Sequence, residues 1–348
     1  MQQHHSGSFM FVMYYSYDKL MTFPFLFAFI LGSRGCGKSY GAKKLVIKRF
    51  LKTGEQFIYL RRYKTELDTA LVTFFDDVNS NQEFEGHKLA VVKSKLLTKF
   101  TCDGKVCGYA IPLSTSNILK STAFPNVRLI IFDEFLLDTG SGSYHYLKGE
   151  VNMVLDCFET IARLRDVQMI FIGNSVTRVN PYFAYFNLDV PYNSEYKTFK
   201  DGLIVVNYIK SEAYEKAKKE SKFGRLIEGS LYGNYAISNQ FLRDSKEFVC
   251  KRPTDAKFYC VLVINGLHIG VWYAKDGYLY LSEKYEPNTH YKFACDYDDH
   301  SESTIFLNAR ENMFLKMCVR YYKQSLLRFE NIKVKNTIID LLNKCVAI

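Results

Sequence analysis

The sequence predicts an α/β domain built on a parallel sheet, followed by a linker and a smaller α+β domain. Three observations support this fold class. An apolar run, FAFIL, leads directly into the glycine-rich stretch GSRGCGKS. Further apolar runs of strand length recur near residues 57, 130 and 170. After residue 257 the runs become short and are joined by Asn-Gly and Asp-Gly, which are hairpin signals. We place the domain boundaries at 1–200, 201–245 and 246–348.

The composition is that of a folded chain, and the charge favours a polyanionic partner. The 348 residues are 48% hydrophobic and carry a net charge of +10. A basic excess suits nucleic acid, although it also serves solubility. The nine cysteines include no CxxC pair, which argues against a disulfide framework or a zinc site and favours a reducing compartment. The apolar run at 20–31 is about half the length of a membrane span, so we expect no membrane contact.

The loop from Gly32 to Ser39 matches GxxxxGK[ST] in full. It follows a buried-strand pattern at 25–31 and precedes helical spacing at 40–51, which is the context that a phosphate-binding loop needs. Glycines allow backbone N–H groups to wrap a phosphate, because a Cβ would block that approach. We predict that Lys38 reaches the β- and γ-phosphates and that Ser39 binds Mg²⁺. The predicted nucleotide-binding residues are Gly32, Ser33, Arg34, Gly35, Cys36, Gly37, Lys38, Ser39 and Tyr40.

A second buried strand, predicted at 126–132, ends in the acidic pair Asp133 and Glu134. Doubly wound sheets bind their ligands at this edge. Asp133 is predicted to hold the Mg²⁺ shell, and Glu134 to polarise the attacking water as general base. The chain between the two motifs has room for an additional strand, for which 55–63 is one candidate. This layout is that of motor-type, catalytic-Glu P-loop ATPases. The absence of an NKxD motif from the sequence favours ATP over GTP.

Two further signals surround a third strand pattern, at 167–173. Asn174 ends that run, where it could contact the γ-phosphate or the lytic water, although a simple Asn turn would look the same. Arg163 and Arg165 lie just before it. In ring ATPases an arginine from a neighbouring subunit neutralises charge that develops on the γ-phosphate. Either arginine could act in this way, and a surface arginine at a helix end is the competing interpretation.

Several segments together resemble the DNA-packaging ATPases, which are terminase-like motors, of phi29-like short-tailed phages. They are ILGSRGCGKSY at 30–40, TGEQFIYLRRYKTEL at 53–67, FPNVRLIIFDEF at 124–135, NPYFAYFNL at 180–188 and FGRL at 223–226. The resemblance implies ATP and Mg²⁺ as cofactors and a homomeric ring, expected to be a pentamer. It also implies that the ring pumps double-stranded DNA through the portal, or connector, of a prohead in the host cytoplasm, with a packaging RNA as partner.

The resemblance also implies roles for individual residues. It makes Arg163 the finger that acts in trans, with Arg165 kept as the alternative, and it places Lys120 near the subunit interface. It matches Asn174 to an Asn of the family on the same strand. The residues expected to contact DNA are Arg62, Lys64, Tyr144 and Lys148. Such contacts would go to phosphates and carry no sequence preference; for Lys148 an ordinary surface loop is an equal interpretation.

The last third of the chain has a different character. The charged stretch 211–223 predicts a helix in a linker or lid. Strands are predicted at 258–265, 267–273 and 278–282, and helices at 303–329 and 334–342. Three antiparallel strands followed by helices fit an RNase H-like fold, which the large terminases use as a nuclease. The first strand, FYCVLVIN, carries no carboxylate to hold metal ions. We therefore expect a vestigial domain that does not cut DNA.

Two charged clusters lie in this last domain. The acidic one is interpreted as a solvated loop and consists of Asp296, Asp298, Asp299 and Glu302. The basic one forms a stripe suited to RNA or to the prohead, or an ordinary charged helix face, and consists of Lys323, Arg328, Lys333 and Lys335.

The motifs predict an Mg-dependent ATPase, and the resemblance implies that it translocates double-stranded DNA into a viral prohead. One alternative is a helicase-like translocating ATPase outside packaging. Another is a P-loop protein that is not a motor, such as a kinase or a DNA-binding scaffold.

Overall fold

The computed structural model describes residues 14–94, 97–137, 146–175, 180–188, 195–230, 248–308, 312–324 and 326–346. The chain divides into two compact units, each with its own sheet and core. The first contains most of the chain up to Leu242, and the second contains mainly Arg243–Ile348. No helix in the described ranges is both long enough and apolar enough to cross a membrane.

The first unit contains a nine-stranded sheet in the order β3-β4-β5-β2-β6-β7-β1-β9-β8. The strands from β5 to β9 in this order are parallel to one another, and the two ends of the sheet are antiparallel. The strands are β1 (Phe27–Gly32), β2 (Gln56–Arg61), β3 (Leu89–Val92), β4 (Thr98–Cys102), β5 (Lys105–Pro112), β6 (Val127–Asp133), β7 (Gln168–Asn174), β8 (Tyr196–Phe199) and β9 (Ile204–Tyr208).

Helices connect these strands and cover the sheet, as parallel strands require. They are α1 (Lys38–Thr53), α2 (Lys64–Val72), α3 (Asp76–Ser80), α4 (Glu150–Ala162), α5 (Pro181–Phe186), α6 (Glu212–Glu220) and α7 (Lys222–Ile227), with 3-10 helices at Leu20–Thr22 and Leu113–Ser121. The central strands are apolar throughout because both of their faces are buried. β1 is buried along its whole length.

The position of the additional strand differs from the sequence-based expectation. The candidate at 55–63 forms β2, but β2 lies on the far side of β6 from β1. The strand between the phosphate-loop strand β1 and the acidic strand β6 is β7. The catalytic-Glu ATPase layout is therefore present, with β7 as its inserted strand.

The sheet also continues beyond residue 200, where the sequence suggested a boundary. β9 pairs in parallel with β1, with Ile204 opposite Phe27. The charged stretch predicted as a helix at 211–223 forms α6 and the start of α7, and both belong to the first unit.

The second unit contains a six-stranded sheet in the order β14-β13-β10-β11-β12-β15. Its elements are β10 (Lys257–Ile264), β11 (Leu267–Tyr273), β12 (Leu279–Ser282), β13 (Lys292–Ala294), β14 (Ile305–Phe306), α8 (Met313–Lys323), β15 (Leu327–Phe329) and α9 (Ile332–Val346). β10, β11 and β12 form an antiparallel meander, while β13 and β14 run parallel to β10. This strand order is the RNase H-like arrangement, with β15 added at one edge.

Turn chemistry sets the register of the first hairpin of this sheet. Asn265 and Gly266 both have positive φ, 52° and 72°, as a two-residue hairpin turn needs. The single helix predicted at 303–329 is wrong. That range contains β14, α8 and β15, because Leu327 and Phe329 extend the sheet beside β12 and are buried in the core.

Candidate nucleotide site

The phosphate loop joins the end of β1 to the start of α1. Gly35 and Gly37 have φ of +88° and +87°, a backbone conformation that side-chain-bearing residues rarely adopt. At the centre of the loop the buried Lys38 Nζ donates to the carbonyl oxygens of Gly32 and Ser33, at 3.0 and 2.9 Å. Burial lowers the pKa of Lys38, and the nearby Cys36 and Asp133 oppose that effect. An ammonium held by carbonyl oxygens in such a loop is well placed to bind phosphate oxygens.

The strand ends bring Asp133 and Asn174 to the same loop. Asp133 Oδ1 accepts a hydrogen bond from Ser39 Oγ at 3.1 Å, and its Oδ2 accepts one from Tyr59 Oη at 2.9 Å. Asn174 Oδ1 accepts from Lys38 Nζ at 3.2 Å. Hydroxyl and carboxylate oxygens are the ligands that Mg²⁺ prefers, usually with waters and phosphate oxygens completing its shell. The Ser39 and Asp133 pair therefore fits a magnesium ion bound with a nucleotide.

Glu134 follows Asp133 in a strained turn. Its φ is +59°, a left-handed conformation that costs free energy in a residue other than glycine and tends to occur at functional sites. Its carboxylate forms an ion pair with Arg61 Nη1 at 2.5 Å. No sequence motif assigns Arg61 a role at this site. The ion pair engages Oε2, and the Glu134 side chain is 54% exposed, so water can reach the carboxylate.

Arg61 also faces Asp133, at 3.9 Å, and donates to Tyr59 Oη at 3.1 Å. Burial alone would lower the pKa of Arg61, but Asp133, Tyr59 and Glu134 together raise it. The guanidinium therefore stays charged, and it balances the buried carboxylate of Asp133 and the exposed one of Glu134.

Arg62 does not lie on the surface, and its predicted contact with DNA is wrong. The residue is only 1% exposed. Its Nε and Nη2 bind the two carboxylate oxygens of Glu150, at 2.7 and 3.0 Å. Its Nη1 and Nη2 also donate to the carbonyl oxygens of Glu134 and Phe135. Arg62 thus holds the backbone turn that carries Glu134 and is not available to a phosphate.

The loop opens into a cavity of about 740 Å³, which also reaches Tyr14–Asp18 and one face of α1. The sequence analysis missed this amino-terminal segment because no motif marks it. Two hydrogen bonds fix it to the loop: Tyr15 N donates to the Cys36 carbonyl at 2.9 Å, and Tyr17 Oη donates to the Lys38 carbonyl at 3.0 Å. The cavity has room for the base and ribose of a nucleotide beside its phosphates.

Helix α6 contacts the other side of the same loop. Tyr214 Oη and Lys218 Nζ, both on α6, donate to the carbonyl oxygen of Arg34 at 2.8 and 2.9 Å. A change in the conformation of the phosphate loop would therefore alter these hydrogen bonds to α6.

Comparison with known proteins places this site in a family. A model of the family described as Podovirus DNA encapsidation protein (Gp16) matches residues 10–347. The chain belongs to this family. It is 37% identical over 335 residues to the DNA packaging protein of Bacillus phage phi29, covering 95% of this chain and 98% of that protein.

Two solved structures agree with this membership. A chain of the bacteriophage Phi-29 viral genome packaging motor assembly superposes with a TM-score of 0.73 at 36% identity, covering 96% of this chain and 99% of that one. The N-terminal domain of the DNA packaging ATPase from bacteriophage phi29 superposes with a TM-score of 0.51 at 40% identity, covering 57% of this chain and 97% of that one.

The residues expected to act in trans lie away from the nucleotide site of the encapsidation protein. Arg163 and Arg165 follow α4, before the amino-terminal end of β7, and Lys120 is near the end of the second 3-10 helix. Both guanidinium nitrogens Nη1 and Nη2 of Arg165 donate within the chain, to the carbonyl oxygens of Phe124 and Ile161. Arg163 and Lys120 are exposed. These contacts favour Arg163 over Arg165 as the finger.

The other residues predicted to contact DNA differ in where the structure places them. Lys64 is the first residue of α2 and is exposed, as a phosphate contact requires. Lys148 is also exposed. Tyr144 lies outside the described residues.

The basic cluster of the second unit does not form the stripe that the sequence suggested, whereas the acidic cluster is largely exposed, as expected. Lys335 is buried, at 6% exposure, and the Arg328 guanidinium stacks over the Tyr278 ring at 4.0 Å. A continuous basic stripe is therefore not available to RNA. Asp299 uses both carboxylate oxygens to accept the backbone N–H groups of Asn265 and Gly266, at 2.6 and 2.7 Å. It stabilises the first hairpin, while Asp296, Asp298 and Glu302 are exposed, as the predicted solvated loop requires.

The described residues contain one cluster of three side chains of metal-ligand type, His87, Cys102 and Asp103. Hydrogen bonds within the chain explain why these side chains lie close together. His87 Nδ1 lies 2.7 Å from Asp103 Oδ2, and Asp103 Oδ1 accepts the N–H of Lys88 at 2.8 Å. These contacts tie the segment before β3 to the β4–β5 turn.

Proposed function

We propose that the chain is an ATP-hydrolysing motor that drives double-stranded DNA into a viral prohead. One observation carries the proposal: Lys38, the Ser39–Asp133 pair and Glu134 converge at one sheet edge in a member of a DNA encapsidation family. The phi29 relatives, a DNA packaging protein and a chain of a genome packaging motor, support it. They favour packaging over the helicase-like alternative and over a protein that is not a motor.

ATP binds with its phosphates in the loop of residues 32–39 and its nucleoside in the adjoining cavity. Lys38 neutralises the phosphates, and Ser39 and Asp133 hold Mg²⁺. When bound, Mg²⁺ supplies positive charge to the phosphate oxygens and makes the transferred group easier to attack. Asn174, which contacts Lys38 and borders the cavity, contacts the γ-phosphate or the attacking water.

Glu134 is the general base. It takes the proton from the attacking water on a carboxylate whose Oε2 is paired with Arg61. The Arg62–Glu150 ion pair is buried beneath it and keeps the turn in its strained conformation. Asp133 is not free for this role, because Ser39 and Tyr59 occupy both of its oxygens.

Arg163 acts on the site of a neighbouring copy, because it cannot reach its own. It precedes β7, whereas the site lies beyond the other end of that strand. β7 has seven residues, and a strand rises about 3.3 Å per residue, so the strand alone separates them by roughly 20 Å. Identical copies in a ring can make such a contact, because the front of one copy meets the back of the next. Lys120 acts from the same side.

For the remaining partners we propose those that the family resemblance implies. The chain acts as a homomeric ring, which we propose to be a pentamer, docked at the portal of the prohead in the host cytoplasm, with a packaging RNA in the assembly. Lys64 contacts DNA phosphates. The second unit is a docking domain without nuclease activity, since β10 has no acidic residue and Asp299 is engaged by the β10–β11 turn.

Mixing of subunits tests the central part of the proposal. DNA-stimulated ATP hydrolysis is measured while wild-type chain is diluted with Arg163→Ala chain at constant total protein. Because one incomplete site stalls a ring whose sites act in turn, activity should fall faster than the wild-type fraction, and pure Arg163→Ala should lose about 10³-fold or more.

Arg320→Ala, which changes an exposed arginine of α8, is the control and should leave activity unchanged at every mixing ratio. A strictly linear fall for Arg163→Ala would refute coordination between the sites. If, in addition, a mixture of the inactive Arg163→Ala and Glu134→Gln chains recovers no activity, action in trans is refuted.

A further inference from the structure

A fully exposed leucine stands at the turn between α4 and β7. Leu164 has a relative exposure of 104%, the highest of the exposed large hydrophobic residues in the described part of the chain. It lies between Arg163, the proposed finger, and Arg165. Isolated exposed apolar residues are common on protein surfaces, but a leucine with its whole side chain in water gains nothing from the fold of its own chain.

The turn that presents Leu164 is rigidly built. Arg163 has φ +52° and ψ −118°, a strained conformation for a residue with a side chain. The N–H groups of Arg163 and Arg165 close it by donating to the carbonyl oxygens of Glu159 and Ala162, at 2.8 and 2.9 Å. The guanidinium of Arg165 donates to the carbonyl oxygens of Phe124 and Ile161. Strain that is held by this many hydrogen bonds is characteristic of functional sites.

The same pattern occurs on the adjacent 3-10 helix, Leu113–Ser121, which packs against α4. Ile118 is 72% exposed and lies two residues before the exposed Lys120. Each residue expected to act in trans is therefore accompanied by an exposed aliphatic side chain. The two segments are joined where Arg165 binds the carbonyl oxygen of Phe124.

The turn has an excess of positive charge, because three arginines, Arg128, Arg163 and Arg165, lie close together beside the single carboxylate of residues 163–166, that of Asp166. Burial lowers the pKa of Arg165, and the nearby Arg128 and Arg163 lower it further. A basic edge suits an anionic partner such as a bound triphosphate. Phosphates alone would leave Leu164 and Ile118 in water, so the partner must also offer apolar protein surface. A second copy of this chain, with nucleotide in its site, offers both.

We propose that Leu164 and Ile118 are the apolar anchors through which each copy seats Arg163 and Lys120 against the next copy. Arg165 is a positioning residue that holds the turn in shape. The inference rests on the proposed action of Arg163 in trans, and it adds the residues that form the contact. An apolar anchor beside a charged group is the usual composition of an interface centre, where truncation of a few residues removes most of the binding.

The test measures specific ATPase activity of the full-length chain against protein concentration, with duplex DNA and saturating ATP. Wild-type activity should rise to a plateau as copies assemble. Leu164→Asp should move the midpoint to at least about ten-fold higher concentration, because assembly no longer buries an apolar side chain at this position. Its plateau should equal that of wild type. Arg163→Ala should lower the plateau and leave the midpoint unchanged.

Two variants serve as matched controls. Leu164→Met retains an apolar side chain of similar size and should restore the wild-type midpoint. Val72→Asp changes another strongly exposed aliphatic residue, on α2, and should leave the midpoint unchanged. All four variants should keep the thermal midpoint of wild type within about 1–2 °C, since surface substitutions rarely change stability by much.

The possible failures are distinguishable. If Leu164→Asp leaves the midpoint within about two-fold of wild type, or if Leu164→Met fails to restore it, the anchor is refuted while the finger can stand. If Leu164→Asp assembles normally but no longer docks on proheads, the turn contacts another partner and the inference is wrong. If Leu164→Asp lowers the thermal midpoint by several degrees, the residue packs within its own chain and the inference again fails. If the wild-type chain is fully active while it sediments as a monomer, or if Arg163→Ala keeps its plateau, the proposed ring mechanism itself is refuted.

Discussion

The two sheets of this molecule use their charged residues in opposite ways. At the edge of the nine-stranded sheet, the side chains of Lys38, Asp133 and Glu134 contact one another or their immediate neighbours around an open cavity. In the six-stranded sheet, carboxylates such as Asp299 and Glu330 accept backbone N–H groups and close turns. The first arrangement leaves charge available to a ligand, whereas the second uses charge to maintain the fold. The chemistry therefore belongs to the first sheet, although acidic residues are present in both.

The largest expected effect is the loss of ATP turnover when the Glu134 carboxylate of the first unit is replaced by an amide. The same replacement in the second unit serves as its control. Glu134→Gln should reduce ATP turnover by about 10²–10⁴-fold, because an amide cannot accept the proton from water. Nucleotide affinity, measured by equilibrium binding of a fluorescent ATP analogue, should stay within a few-fold of wild type. Glu302→Gln makes the same exchange in the second unit and should leave turnover unchanged. Near-normal hydrolysis by Glu134→Gln would remove this residue from the base role and weaken the contrast between the sheets.

Sequence alone predicted the parts of the site that lie within continuous motifs. The phosphate loop, Asp133, Glu134 and Asn174 each end or follow an apolar run, and the ends of neighbouring parallel strands meet at one edge. The hairpin at Asn265 was also predictable, because that turn type depends on two adjacent residues. In these cases the local chain contains all the information that the structure uses.

The missed or misassigned residues depend on partners far along the chain. In the sequence, Arg62 has the pattern of a surface cation that follows a strand. Its partner Glu150 is 88 residues away, so the local sequence does not indicate the ion pair. Arg61 gains its role only when β2 is placed beside β6. The strand at 327–329 was predicted as helix because its pairing partner, β12, starts near residue 279. The hydrophobic periodicity of one segment does not show which distant segment it will contact. Pairing with a distant strand can also override the secondary structure that a segment prefers by itself.

Arg62 and Lys64 provide the next test, since both were expected to contact DNA. Arg62→Ala should destabilise the first unit by about 3–5 kcal/mol, because it leaves the Glu150 carboxylate buried without a partner. Hydrogen exchange followed by mass spectrometry should show faster exchange in β2 and β6. Lys64→Ala should leave that exchange unchanged and reduce the stimulation of ATP hydrolysis by DNA, more at low salt than at high salt. If Arg62→Ala weakened DNA stimulation at unchanged exchange rates, the buried structural role assigned to Arg62 would be wrong.

The variant with the smallest expected effect tests whether the carboxylates of the second unit only stabilise the fold. Asp299→Ala removes the acceptor of two backbone N–H groups at the β10–β11 turn. Because this turn is near the surface, water can replace part of that interaction, and the expected loss is only about 1 kcal/mol of unfolding free energy. Trp272 in β11 is the single tryptophan of the chain, so its fluorescence during urea unfolding reports on the second unit.

Glu302→Gln, in the exposed acidic stretch nearby, should leave that urea midpoint unchanged, and ATP turnover should be the same in both variants. Neither wild type nor variants should cut duplex DNA when Mn²⁺ is supplied, because two-metal hydrolysis needs carboxylates that hold the ions and β10 has none. Cleavage by wild type that Asp299→Ala abolished would show that this carboxylate binds metal as well as the turn. The two sheets would then share the chemistry that we assign to the first alone.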